Sequence, residues 1–250
     1  MTKYNYSDFD TFKNKIIING ILVNESPLHI GSSEMVAFGP DNSVLKIKFL
    51  EEADGKPKEL LVPIIPGSSL KGVFRSYIER IAKLDDSERD DICIPPNLCE
   101  GDKVCLVCGI FGGKSIASHI RILDAVPIQK EDVKLITITR TRINRITGTV
   151  DKGALFQVQA IAPGTEFRFK MIIYNIPNSK DDSEDKRTKL IINLLEALVN
   201  GEIYVGGMTS VGMGRIRLKD LEIKYITSED IKSGRKPKSY SFDEFKEVFK

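Results

Sequence analysis

The chain has 250 residues, of which 41% are hydrophobic, and its 37 basic and 35 acidic residues leave a net charge of +2. This length suits one elaborate domain or two small ones. The near-neutral overall charge argues neither for nor against a polyanionic partner, which only a local concentration of basic residues can indicate. The sequence lacks a signal-peptide pattern and an apolar run long enough to span a bilayer, so we expect a cytoplasmic protein with no membrane partner.

The first third of the chain predicts a strand, a long loop, an edge strand and a helix. Residues 15–24 are apolar and β-branched, as a buried strand requires, whereas 25–46 is rich in Gly, Pro and Ser. Residues 60–65 are apolar but include Pro63, which favours an edge strand. Apolar residues at spacings of three and four then predict a helix over 69–83, with these residues on one face: Leu70, Val73, Phe74, Tyr77, Ile78 and Ile81.

The entry to this helix has the chemistry of an anion site. Ser68 and Ser69 can cap free amide groups at the positive end of the helix dipole, where a phosphate also binds well. Lys71 and Arg75 lie one turn apart on the polar face. The alternative is an ordinary capped helix whose basic side chains are solvated.

All the cysteines lie in the insert that follows, residues 84–117, at Cys93, Cys99, Cys105 and Cys108. Four thiolates with one Cys-x2-Cys pair suit a tetrahedral zinc ion and leave no open position for an activated water, so the predicted site is structural. The alternatives are disulfides or a redox pair, and free thiols. His119 is the nearest other ligand. A chain of this length does not need disulfides for its stability.

The segment from Gly109 to Ser115 resembles a phosphate-binding P-loop but has the wrong spacing. That motif requires four residues between its first glycine and the Gly-Lys pair, whereas three separate Gly109 from Gly113. The segment therefore does not predict an ATPase.

The second half predicts further strands, a ribbon and two helices. We predict strands at 119–126, 133–139 and 215–225, a ribbon over 140–176 and a helix over 189–200. Gly201 follows that helix at the position where a left-handed cap is expected. A capping box, Ser241 to Glu244, predicts a short C-terminal helix whose apolar stripe docks on its own domain.

The order strand, helix, strand, strand, helix, strand is the split β-α-β pattern. We therefore predict an α+β fold with a ferredoxin-like or RNA-recognition-motif core. The core carries two additions, a zinc insertion with four cysteine ligands at 84–117 and a protruding β-ribbon thumb at 140–165. We expect one domain over 1–225, followed by a basic linker and an amphipathic helix over 226–250.

The ribbon carries basic and apolar side chains suited to RNA. Arg140 and Arg142 are two residues apart and are expected to share one strand face, while Arg145 lies near the turn. Such bases can grip a nucleic-acid backbone, and Ile143 or Ile146 at the tip can wedge between nucleobases. The alternative is a charged edge that prevents aggregation.

Five segments, in this order, resemble the backbone RAMP subunit of type III CRISPR effector complexes, of the Csm type. They are LHIGSSE (28–34), IPGSSLKGVFRS (65–76), SHIRILDA (118–125), INRITGTVDKGALFQVQAIAPGTEFRF (143–169) and GGMTSVGMGRI (206–216). The resemblance implies a filament of copies along a guide RNA, beside other subunits of the effector complex, with a complementary target RNA as a further partner. His29 and Arg121, which lie in these segments, join the expected RNA contacts.

The resemblance also implies metal-dependent cleavage of the target RNA. In the family the first segment usually ends in an aspartate, and here that position is Glu34, which keeps the carboxylate but lengthens it by a methylene. Asp41 in the same loop is the second candidate. Either carboxylate is expected to hold Mg²⁺ or Mn²⁺. The chain also has INR at 143–145 where IDR is commoner, and His119 replaces a usual arginine.

Two other functions stay open. One is a purely structural RNA-binding backbone subunit that cuts neither strand. The other is a stand-alone guide-processing ribonuclease, which needs a histidine as general base. His29 and His119 are the only histidines of the sequence, and neither has an evident partner in it.

Overall fold

The apolar, β-branched run near the N-terminus forms the central strand of the main sheet. The computed structural model describes residues 4–32, 42–53, 56–151, 153–176 and 185–249. Its strands are β1 (Asn14–Asn24), β2 (Lys46–Ala53), β3 (Lys56–Pro63), β4 (Ile120–Ile122), β5 (Val126–Pro127), β6 (Leu135–Arg140), β7 (Phe156–Ile161), β8 (Glu166–Tyr174), β9 (Ile203–Tyr204), β10 (Arg215–Thr227) and β11 (Lys238–Tyr240). Its helices are α1 (Gly67–Ala82), α2 (Leu106–Phe111), α3 (Arg187–Val199), α4 (Ser228–Ser233) and α5 (Phe242–Phe249).

The main sheet has the order β11-β10-β1-β8-β4, with β5 on β8 and β9 on β10. The pairs that build it are antiparallel. Along the chain its central part runs β1, α1, β4, β8, α3, β10, so the predicted alternation of strands and helices is present. The fold is therefore a mixture of helices and an antiparallel sheet.

One face of this sheet is buried under α1 and α3. Alternate residues of β1, such as Ile16 and Ile18, are almost fully buried on this side, because successive strand residues point to opposite faces. The ring of Phe74 on α1 meets that of Phe169 on β8 edge to face, with 6.3 Å between the ring centroids. In the described part of the chain no helix packs on the opposite face, where most side chains are half-exposed or exposed and Val23 is buried.

Two hairpins stand apart from the main sheet. β2 pairs with β3, so the predicted edge strand at 60–65 is the end of a longer strand that reaches Pro63. β6 pairs with β7, whereas β8 joins the main sheet. The prediction of one long ribbon over 140–176 was therefore wrong, because the apolar residues of β8 are buried in the core.

The C-terminal helix α5 docks on its own domain, as predicted. Phe245 and Phe249 are buried, and the ring of Tyr225 on β10 contacts Phe249 at 5.0 Å between centroids. Its capping box is present, since the Ser241 amide donates to Glu244 at 2.7 Å. In the described parts of the chain, the helices are too short or too polar to cross a membrane.

Candidate metal centre and nucleic-acid interface

The four cysteines converge in one cluster. Their sulfur atoms all lie within 4.8 Å of one another, with 3.2 Å between the Sγ atoms of Cys93 and Cys108 and 3.7 Å between those of Cys93 and Cys105. The thiols are unpaired, and all but that of Cys93 are buried. Hydrogen bonds from the side chain of Cys108, and also from its backbone amide at the start of α2, lower the pKa of Cys105 to about 4. The cluster can therefore hold a metal ion.

Arg75 belongs to this cluster rather than to a free helix surface. Its guanidinium donates to the Cys108 sulfur at 3.4 Å, to the Gly112 carbonyl at 2.9 Å and to Glu79 at 2.8 Å. The side chains of Arg75 and Glu79 are each only 14% exposed. A guanidinium in this position offsets the negative charge of thiolate ligands. Its predicted contact with RNA stays untested, and the structure gives it another role.

The P-loop-like segment closes the cysteine insert. A Cβ at Gly113 would lie 3.1 Å from the Cys99 carbonyl and 3.4 Å from the Cys108 sulfur, so the chain passes close to the cluster there. Lys114 pairs with Glu100 at 3.2 Å, and the Ser115 hydroxyl donates to the Gly101 carbonyl at 2.7 Å. These side chains thus bind the insert itself.

His119 is not a ligand of the cluster. It is fully buried, its Nε2 lies 2.9 Å from an oxygen of Asp8, and its ring packs 4.4 Å from that of Phe9. Burial lowers the pKa of His119, although the carboxylate of Asp8 opposes that effect. The sequence alone does not indicate this pairing, because 111 residues separate the partners.

The entry of α1 differs from the prediction in its cap. Neither serine caps the helix; instead the carboxylate of Asp124 accepts a hydrogen bond from the Gly67 amide at 2.8 Å. Ser68 is exposed, and Ser69 is half-buried. The carboxylate of Asp124 already binds the first free amide at the N-terminus of α1, so a phosphate would have to bind farther along the helix.

Lys71 lies on α1 without a counter-ion among the described residues, as does the more exposed Arg80. The side chain of Lys71 is partly buried, and burial, followed by the charge of Arg75, lowers its pKa. Within the described ranges, no carboxylate or other acceptor contacts its ammonium group. An anion that binds beside a desolvated cation of this kind stabilises its charged form.

His29 lies where the LHIGSSE segment meets the Gly-rich loop. Its Nδ1 is 2.7 Å from the Gln159 carbonyl on β7, and its own carbonyl accepts a hydrogen bond from Gly207 at 2.8 Å. Gly206 has φ +87, and a Cβ there would collide with the His29 carbonyl. The loop thus needs glycine for close backbone approach. The sequence did not indicate Gln159, which also accepts from the Val44 amide at 3.2 Å.

The tip of the β6–β7 hairpin is open to solvent. Ile146 is 95% exposed, and Arg145 is exposed beside it. Asn144 organises the turn, because its side-chain oxygen accepts from the amides of Ile146 and Thr147 at 2.9 and 3.1 Å. The INR sequence therefore supplies a turn-forming side chain at this point.

Arg140 and Arg142 do not share a regular strand face. β6 ends at Arg140, so the two-residue periodicity does not extend to Arg142. The guanidinium of Arg142 pairs with Asp151 at 2.9 Å, whereas Arg140 is half-buried. The hairpin still carries both residues toward its outer end.

The remaining predicted residues fall elsewhere. Arg121 is exposed on β4, on the sheet face opposite to α1, where its guanidinium lies 5.0 Å from the centroid of the Tyr174 ring. The predicted RNA contacts are thus spread over several surfaces. Glu34 and Asp41 lie outside the described residues.

The sheet, the flanking helices and the cysteine insert define a mixed α/β protein with a four-cysteine cluster that can hold a metal ion. The family model of the RAMP superfamily matches residues 22–217, and the chain belongs to this superfamily. The CRISPR system Cms endoribonuclease Csm3 of Methanocaldococcus jannaschii is 29% identical over 222 residues, covering 85% of this chain and 82% of that protein.

Two further comparisons agree with this assignment. The Csm3 endoribonuclease of Enterococcus italicus is 31% identical over 169 residues, 62% of this chain and 71% of that protein. A chain in the crystal structure of a Csm3-Csm4 subcomplex of the type III-A CRISPR-Cas interference complex superposes with a TM-score of 0.53 at 21% identity, covering 95% of both chains. That superposition shows a shared fold.

Proposed function

We propose that the chain is a guide-RNA-binding backbone subunit of a type III CRISPR interference complex. The observation that carries the proposal is the RAMP match over residues 22–217, together with relatives that are named Csm3 and align over most of their length. In this function copies of the chain form a filament on the guide, next to other subunits, and the guide pairs with a target RNA.

Lys71 and the hairpin tip are the best-supported RNA contacts. Lys71 is a partly buried cation without a counter-ion among the described residues, next to the exposed Ser68. At the tip, Arg145 and Ile146 are exposed on a turn that Asn144 holds in shape. Phosphates are expected at Lys71, and the tip is expected to reach between nucleobases.

The cysteine cluster is proposed to hold structural zinc. A tetrahedral zinc site with Zn–S distances of about 2.3 Å places its sulfurs roughly 3.8 Å apart. The two closest separations, 3.2 and 3.7 Å, lie somewhat below that value, and the whole cluster is no wider than 4.8 Å. Cys93, Cys99, Cys105 and Cys108 would be the ligands, and the ion would crosslink the insert.

The core is proposed to be of the ferredoxin-like or RNA-recognition-motif type, within one RAMP domain over 1–225. The neighbouring strands β10-β1-β8-β4 support this. Counted along the chain, they are the fourth, first, third and second of these four strands, and they lie side by side in the sheet. The segment 226–250 would then be an appendage that α5 fastens to β10 and α3.

Cleavage of the target RNA is a second, separable proposal. The relatives are named endoribonucleases, and Glu34 and Asp41 are the carboxylates proposed to hold Mg²⁺ or Mn²⁺. The ion would activate a nucleophile and stabilise charge at the scissile phosphate. A purely structural subunit is the alternative. A stand-alone ribonuclease is not favoured, because both histidines are buried, and a general base must reach its substrate.

One experiment tests both proposals. The protein is purified from its native host with its bound RNA, the RNA is sequenced, and the complex is assayed on matched target RNA with Mg²⁺. We expect a defined set of guide RNAs, and cleavage at regular intervals that Glu34→Ala abolishes while guide binding stays intact. Random RNA would overturn the guide-binding function. Equal cleavage by Glu34→Ala moves the site to Asp41, and cleavage gained only with Glu34→Asp supports the structural subunit.

A further inference from the structure

On the face of the main sheet opposite to α1 and α3, the described strands form five rows of paired residues, and the last of them, Glu166, Val23 and Arg217, holds a buried valine. From β8 through β1 to β10, the other four rows are Tyr174, Lys15 and Ile226; Ile172, Ile17 and Lys224; Lys170, Asn19 and Glu222; Arg168, Ile21 and Lys219. Arg121 on β4 extends the second row, because it pairs with Ile172. The side chains of these four rows are all half-exposed or exposed. The six basic ones define the basic sheet face: Lys15, Arg121, Arg168, Lys170, Lys219 and Lys224.

This face concentrates positive charge in a nearly neutral protein. Among the paired residues of the five rows, all of which the structure describes, the carboxylates are those of Glu222 and Glu166. Glu222 is already bound by Lys224 at 3.0 Å and by Asn19 at 3.4 Å. The whole chain has a net charge of +2, so the face is a local basic patch of the kind that binds polyanions.

The patch has an apolar centre and cationic borders. Ile17 and its partner Ile172, and beyond Asn19 also Ile21, form an apolar strip along β1 and β8, with basic residues of β4 and β8 on one side and of β10 on the other. Within the described ranges, Arg168 and Lys170 have no carboxylate at ion-pairing distance. Their charges are therefore available to a ligand.

Tyr174 positions two of the cations at one end of the strip. Its ring centroid lies 5.0 Å from the Arg121 guanidinium carbon and 5.6 Å from the Lys15 ammonium. Cation–π contact holds both charges near one another without neutralising either. An anion between them would meet two donors whose positions are already restricted.

We propose that the basic sheet face is a second RNA-binding surface, specific for single strands and separate from α1. Phosphates contact the cations at the borders, and nucleobases pack on the isoleucine strip. A duplex keeps its bases stacked inside and offers phosphates alone, so it gains nothing from the strip. The proposal rests on the RNA-binding function proposed above. A protein with an acidic surface is the competing occupant, and the experiment separates the two.

The test uses the full chain and fluorescein-labelled 20-nucleotide oligouridine, with fluorescence anisotropy at several salt concentrations. Arg168→Glu with Lys170→Glu reverses two charges on the face. Arg89→Glu with Lys103→Glu reverses two exposed charges on the cysteine insert and is the matched control. We expect the first variant to weaken binding by about tenfold and to lower the salt slope by about two, and the control to change affinity less than about twofold.

A third variant and a duplex probe the apolar strip. Ile17→Thr keeps a β-branched residue in the strand but lowers its apolar surface. We expect it to weaken single-strand binding by about threefold and to leave binding of a 20-base-pair RNA duplex unchanged. Equal losses on both probes would show that the bases do not contact the strip.

The outcomes distinguish this inference from the function on which it rests. Lys71→Ala is measured in parallel. If it weakens binding while Arg168→Glu with Lys170→Glu does not, the second surface is wrong and the proposed function stands. If neither weakens binding, both are wrong. If the double variant binds RNA normally but light scattering shows that copies no longer associate, the face is a protein interface.

Discussion

The basic residues around the cysteine insert and those on the basic sheet face differ in what surrounds their charges. Arg187 is 3% exposed, lies 2.6 Å from a carboxylate oxygen of Asp185, donates to the Gly109 carbonyl at 3.1 Å and stacks 3.7 Å from the Tyr6 ring centroid. Arg75 is held in the same manner at the sulfur cluster. Arg168 is exposed and without an ion-pair partner in the described part of the chain.

This difference separates two roles that look alike in sequence. A guanidinium buried with a carboxylate and carbonyls stabilises the fold, and removing it leaves those groups unpaired. An exposed, unpaired guanidinium contributes little to stability but is free to meet a phosphate. The following predictions test that distinction, from the largest expected effect to the smallest.

Loss of the cluster should have the largest effect. Cys105→Ser removes one of the four clustered sulfurs, so we expect bound zinc to fall from about one per chain to near zero. We expect stability to fall by about 4 kcal/mol or more, because losing a metal site is among the most destabilising changes. Elemental analysis and thermal unfolding measure the two effects. A chain that keeps its stability without any metal would contradict a structural role.

Removal of Arg75 should have the second largest effect on stability. Arg75→Ala leaves Glu79 and the Gly112 carbonyl without their donor in a place where both are largely shielded, so we expect a loss of about 2 to 3 kcal/mol. The matched control is Arg80→Ala on the same helix, where the side chain is exposed and the loss should stay below about 0.5 kcal/mol. Urea unfolding measures both. Similar losses would mean that burial does not distinguish the two arginines.

Substitution of Lys71 should lower the affinity for RNA and not the stability. Lys71→Ala is expected to weaken RNA binding for all sequences and to reduce the salt slope by about one, since one phosphate contact is lost. Stability should be unchanged or slightly higher, because the partly buried ammonium lacks a counter-ion among the described residues. Lys103→Ala, exposed on the insert, is the control for affinity. A loss of affinity for one sequence only would mean that Lys71 reads a base.

The smallest effect concerns pH and His119. Burial lowers the pKa of His119 in the folded chain, whereas in the unfolded chain it is about 6.5. Below about pH 6.5 the unfolded chain therefore takes up a proton that the folded chain does not, and stability falls as the pH falls. The slope from this residue is at most about 1.4 kcal/mol per pH unit.

The measurement compares urea unfolding of the wild type and His119→Gln between pH 5 and 8. Glutamine can still bind Asp8 but does not titrate. The difference between the two stability curves should be constant above pH 7 and should shrink as the pH falls. A difference that stays constant throughout, or grows toward acid pH, would place the pKa of His119 at or above that of the unfolded chain.

Much of the fold could be predicted from local patterns. The strand at 15–24, the helices at 69–83 and 189–200, and the last predicted strand, at 215–225, are all present within two residues at each end. Gly201 has φ +68, as its position after a helix predicted. These features depend on residues close together in sequence, for which periodicity and capping are sufficient. α2 and α4 were missed because each has only six residues.

The predicted site residues fared differently, because their roles depend on distant partners. Arg75 and Lys71 lie one turn apart on the polar face of the same helix, yet only the fold brings Cys108 to Arg75. Asp124 caps α1 from another segment, 57 residues away from Gly67. Arg121 lies in a predicted strand, and the pattern of that strand does not indicate which face of the sheet is open. These outcomes could not be read from spacing along the chain.

The sequence by itself determined most of the long strands and helices and the members of the cysteine cluster. Apolar periodicity specifies which side of a strand or helix is buried, and four cysteines close together in the chain must meet wherever the insert folds. Tertiary structure alone decided which charges are neutralised, because burial and long-range pairing are properties of the packed chain. It buried Arg75 and Arg187 against fixed partners and left Arg168, Lys170 and Lys71 without counter-ions among the described residues.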